Sequence, residues 1–184
     1  MKQFLFMLAG ALMMFLAGCS SGPKAVTTEI SGPLGKAFVL AGKSAKVVQL
    51  AEEEGEKPDW YLEVEIKLKD ASQLPEGYSK GTVGCVDDLG EDGIESIAGF
   101  GVNYTLSDGE MCSTAAHDDT AYFSPKELRQ VLRLDEGKSA VLHLWLDDVE
   151  SDKDIVETFC VTSFYADPSS TAKEVRKLFE DLFD

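Results

Sequence analysis

Leu62, Val64, Ile66 and Leu68 alternate with Glu63, Glu65, Lys67 and Lys69 in a single run beginning at Trp60. A helix would scatter those four apolar residues around its circumference. A strand places all four on one face and the charges on the other, as in an antiparallel sheet packed on one side and wet on the other. A sheet with one greasy face needs a second layer to cover it, so this stretch commits the chain to a layered fold built on strands.

Strand patterns recur on both sides of it. Ala25 to Ile30 is dense in β-branched residues and is punctuated by Ser31-Gly32-Pro33-Leu34-Gly35. Lys36 to Leu40 and Ala45 to Leu50 read as two short strands split by Ala41-Gly42-Lys43-Ser44, and Glu52 to Pro58 as a charged loop. Asp70 to Lys80 is turn material, Thr82 to Val86 a strand weakened by Gly84, and Asp87 to Glu95 an acidic loop. Phe100, Val102, Tyr104 and Leu106 alternate with small or polar residues, then turn through Ser107-Asp108-Gly109 into Met111 to Thr114 as a hairpin. Ala140 to Asp147 is apolar or aromatic on both faces, which suggests a central strand. Ile155 to Tyr165 is expected to pair with it across the acidic turn Asp147 to Asp154.

Two helices interrupt the strands. Ser124-Pro125-Lys126-Glu127 is a capping box with proline at the first helical position, followed by the stripe Leu128, Val131 and Leu132 and ended by Asp135-Glu136-Gly137. A second capping box, Thr171 and Glu174, opens a helix whose stripe is Val175, Leu178, Phe179, Leu182 and Phe183. That stripe is expected to pack on the body of the domain. Eight or nine short strands with two isolated helices predict a mainly β, antiparallel β-sandwich of Greek-key, immunoglobulin-like type. An α+β fold with one sheet is the alternative.

The amino-terminal residues set where this domain works. Met1-Lys2 precedes an uncharged apolar run from Phe4 to Leu16, too short for a spanning helix, which needs about 20 residues. It ends in Leu16-Ala17-Gly18-Cys19, and this resembles the lipobox of bacterial lipoproteins. The resemblance implies removal of residues 1–18, a diacylglyceryl group on the Cys19 thiol and acylation of the new amino terminus. Two lipid signals suffice for stable anchoring. Residues 19–24 then form the lipidated cysteine and tether, and 25–184 a single domain. Serine at position 20, where aspartate would retain the protein at the inner membrane, resembles the outer-membrane sorting pattern. The expected address is therefore the bacterial cell envelope, lipid-anchored at the outer membrane.

Loss of residues 1–18 removes one base, Lys2, and no acid, so the net charge moves from −16 to −17. An acidic surface of that size disfavours nucleic acid and anionic head groups as partners. After the anchor come three cysteines, Cys85, Cys112 and Cys160. An oxidising envelope favours a disulfide among them, with three pairings open and one thiol left over. Their spacing matches no zinc pattern.

Motifs of catalysis are sparse. The two histidines are His117, in a loop, and His143, inside an apolar strand where a hydrogen-bonded structural role fits best. There is no glycine-flanked nucleophile, phosphate loop or dinucleotide fingerprint. Asp88 and Asp92 stand where the first and fifth ligands of an EF-hand loop would, but Gly90 and Gly99 occupy the third and twelfth positions, so a solvated loop is the better reading. Trp60, Tyr61 and Trp145 could form an aromatic platform, though Trp145 is expected in the core. No cofactor or metal is expected. The combined expectation is an envelope lipoprotein whose β-domain binds a protein or glycan without catalysis. The alternative is an envelope hydrolase using carboxylates in a cleft.

Overall fold

The computed structural model describes residues 22–50, 58–80, 97–114, 125–147, 149–151 and 155–166. Eight strands and one helix follow in order: β1 (Lys24–Ala25), β2 (Phe38–Leu40), β3 (Lys46–Leu50), β4 (Asp59–Leu68), β5 (Ile97–Leu106), β6 (Met111–Ser113), α1 (Pro125–Leu132), β7 (Ser139–Trp145) and β8 (Val156–Ala166). They form a two-sheet β-sandwich. One sheet has the order β1-β8-β5-β6; in the other, β4 pairs with β2 and β3 along one edge and with β7 along the other.

The alternating run is β4, with Leu62, Val64, Ile66 and Leu68 all buried beneath their sheet. From the facing sheet, Ala98, Phe100, Val102, Tyr104 and Leu106 of β5 point inward. Phe38 and Phe100 meet edge to face between the layers, ring centroids 5.5 Å apart. Leu128, Val131 and Leu132 of α1 complete this core. The helix packs on β7, with a few approaches to β5.

The connections β4→β5 and β7→β8 both cross from one sheet to the other, and β5 approaches β7 across the core. This corrects the expected β7–β8 hairpin: the acidic stretch after Trp145 is a crossover, because each strand buries its apolar residues in a different layer. Among the described residues β7 pairs with β4 alone. Its second edge lies beside α1, and its outward residues are only half-buried or exposed.

The first strand pattern is also interrupted. Only Lys24–Ala25 runs as a strand, parallel to β8; the chain then bows away and returns at Ser31, opposite Thr162. Between those points Glu29 bridges Val39 of β2. Residues 24–31 thus lie between β8 and the β2–β3 edge, joining the two sheets along one side. Gly32, at φ +86°, turns the chain at the top of this seam; a Cβ there would lie 2.0 Å from the Ser163 carbonyl oxygen.

The hairpin expected at Ser107-Asp108-Gly109 is present, with Gly109 at φ 92°. The helix expected after Ser124 is α1. Thr82 to Val86, the acidic loop with Asp88 and Asp92, and the carboxy-terminal stripe lie outside the described residues, as do residues 1–19.

Candidate functional site

The outward face of the β4 sheet gathers the polar side chains with most chemistry. Register places Lys46, Glu63 and His143 on one rung across β3, β4 and β7, and Val48, Tyr61 and Trp145 on the next. Their neighbours along each strand point into the core, so these residues face away from it.

His143 sits between two carboxylates. Its Nδ1 lies 3.0 Å from both oxygens of Glu127, and its Nε2 lies 3.4 Å from Oε2 of Glu63. The His143 backbone N–H donates to Glu127 Oε2 at 3.1 Å. Glu127 comes from α1, so one carboxylate both caps an edge amide of β7 and holds the imidazole. The imidazolium can donate to both acids, the neutral ring to only one. Glu63 also accepts from Lys46 Nζ at 3.0 Å. That hydrogen bond holds the Glu63 carboxyl below its ordinary range against an opposing cost of partial burial, with His143 adding to the effect. The Tyr61 ring stands edge-on to the imidazole at 6.5 Å.

A carboxylate on Nδ1 is how general-base histidines are oriented. Here, however, Nε2 is directed at Glu63, so the ring works as a strut between helix and sheet. The Glu127 carboxylate lies on His143, and Ser124, its expected partner in a capping box, lies outside the described residues.

Trp145, expected in the core, is half-buried on this outward face. Trp60 has its ring partly buried against the core. Two of the three aromatic candidates, Tyr61 and Trp145, are therefore brought side by side, and the third is turned away.

Cys112 on β6 pairs with inward Tyr104, and Cys160 on β8 pairs with outward Asn103. They lie on opposite faces of strands flanking β5, roughly 10 Å apart at the usual strand spacing. A disulfide needs Cα atoms within about 7 Å, so none joins these two. Cys85, His117, Asp88 and Asp92 lie outside the described residues.

A second polar cluster anchors the turn after β4. The Tyr78 hydroxyl donates to the Leu132 carbonyl at the end of α1, and its ring lies 5.8 Å from that of Tyr165. Burial pushes the Tyr78 phenol well above its ordinary pKa, with Tyr165 adding to the shift. Lys80 pairs with Asp135 at 2.8 Å, and its hydrogen bond lowers that carboxyl. These contacts tie loop to helix, with the Tyr78 hydroxyl partly buried and the Lys80–Asp135 pair on the surface. Among the described residues, no set of three or more His, Cys, Asp or Glu is placed to hold a metal ion, and no helix is long and apolar enough to cross a membrane.

No protein-family model matches the chain, nor does any curated protein or solved structure.

Proposed function

We propose that this chain is a bacterial envelope lipoprotein, held at the outer membrane through lipid on Cys19, whose β-sandwich binds a protein or glycan on the outward face of the β4 sheet. The anchor rests on Leu16-Ala17-Gly18-Cys19 and the short apolar run before it. The binding role rests on one observation: Trp145 and Val141 are partly exposed beside a rung of fixed charges, Lys46, Glu63 and His143. An aromatic body next to hydrogen-bonding groups held in place by their neighbours suits recognition of a polar partner.

The charges are committed to one another, which favours binding over turnover. His143 is tied to two acids, and Glu63 to Lys46 as well. A photo-crosslinking residue at position 141, whose side chain is 43% exposed, tests the surface in living cells. A discrete adduct, lost when Trp145 is changed to alanine, is the expected result. Crosslinking no stronger than from exposed Val26 on the other sheet would overturn it. Hydrolysis of glycosides, esters or peptides that disappears in Glu63→Gln or Glu127→Gln would replace binding with the hydrolase reading.

A further inference from the structure

The amino-terminal segment enters the domain at the lower end of β8, where that strand begins, and runs upward beside it. β1 and β8 are parallel neighbours, so the chain comes in at the bottom of one and leaves, after Ala166, at the top of the other. Tension between the two chain ends therefore pulls these adjacent segments in opposite directions along their own axes. Hydrogen bonds lying across such a pull must yield together, whereas bonds at a peeled edge yield one at a time.

The seam is bonded on both sides. Toward β8, Val26 N–H donates to the Phe159 carbonyl at 2.8 Å and Ser31 N–H to the Val161 carbonyl at 3.0 Å. Toward the other sheet, Ala25 N–H donates to Lys43 O at 2.9 Å, Leu40 N–H to Thr28 O at 2.9 Å, and Ala45 N–H to Pro23 O at 3.1 Å. At its upper end stands Ser163, a fully buried hydroxyl on the inward face of β8. Its Oγ donates to the Ser31 carbonyl at 2.6 Å and accepts from Leu34 N–H at 3.1 Å. A buried hydroxyl is retained where it satisfies groups that would otherwise be orphaned, and here it fastens the top of the seam to β8.

We propose that residues 24–31 form a shear-resisting seam through which the sandwich carries tension between its amino-terminal and carboxy-terminal ends. This function goes beyond binding: it would let the domain transmit pull from its anchored end without opening. It does not depend on acylation of Cys19, because the seam belongs to the folded domain.

Single-molecule force spectroscopy tests it on the mature chain, residues 19–184, with peptide handles at its two ends. The comparison axis uses the same amino-terminal handle and a second attachment at Asp108, in the hairpin at the lower end, which loads the seam by peeling. The rupture force should be clearly higher on the end-to-end axis. Two variants locate the resistance: Ser163→Ala removes the upper fastening, and Val26→Pro removes one donor at a position whose side chain is 71% exposed. Val26→Pro should speed opening under constant end-to-end load about fivefold, the factor set by losing one hydrogen bond of ordinary net strength, and Ser163→Ala, which loses two, by at least as much. Each should change the Asp108 axis less. Equal rupture forces on the two axes would overturn the proposal. So would end-to-end opening rates unchanged in both variants while a melt shows them folded.

Discussion

Two side chains carry pH dependence that can be worked out from their surroundings. Tyr78 is buried, donates to Leu132 O and has its pKa raised, so its proton is held more tightly in the folded chain. A raised folded pKa means stability that is complete below the unfolded value of 10.0 and is lost as pH climbs above it. Tyr78→Phe should cost about 1 kcal/mol at neutral pH through the lost hydrogen bond. It should also flatten the alkaline decline, read from denaturant midpoints between pH 9 and about 11, the range where an ordinary tyrosine ionises. Glu63 is the opposite case. Lys46, then His143, keep its carboxyl low, so its contribution is present above the ordinary value of 4.5 and is lost as pH falls through the depressed one. Glu63→Gln should lower stability at neutral pH and make the acid limb shallower; an acid limb identical to that of the unaltered chain would contradict this. Neither environment was legible in the sequence. Glu63 lies 17 positions from Lys46, and Tyr78 lies 54 positions from its acceptor at Leu132. Only the folded registers bring them together.

At the scale of elements, legibility follows how local the controlling physics is. β4 could be read directly, because its alternation is contained in ten residues. α1 was legible from its proline start and three-residue stripe. Pairing was not: β7 and β8 are neighbours in sequence yet belong to different sheets, and nothing within either strand records which partner it takes. Trp145 was misplaced because both faces of β7 are apolar or aromatic, and only pairing with Tyr61 shows which is outward. The β5–β8 pair offers an element-level prediction. Phe164 lies on the outward face of β8 with its ring over Gly99, and a Cβ at that glycine would lie 2.2 Å from the ring Cζ. Phe164 is 1% exposed, so the ring has little room to yield. Gly99→Ala should cost roughly 1–3 kcal/mol by overpacking, measured by denaturant unfolding. Gly109→Ala is the wrong control, since that glycine has φ +92°; Gly42→Ala, with nothing within 4 Å, should change little.

For the whole molecule, topology gives the domain a direction. The chain enters at the lower end, where the hairpin with Asp108 and Glu110 and the crossover with Asp147 and Glu150 also lie. That end carries these four acids beside Lys24 and Lys43 at the seam, and the whole chain has a net charge of −16. The proposed envelope address of the sandwich rests on Cys19. Intact mass spectrometry of the protein extracted from bacterial membranes measures that directly. The mature amino terminus should be Cys19, carrying the added mass of a thioether-linked diacylglyceryl group with or without a third acyl chain, and Cys19→Ala should accumulate as uncleaved precursor. A mature terminus at any other residue, or a Cys19 terminus without acyl mass, would contradict the account.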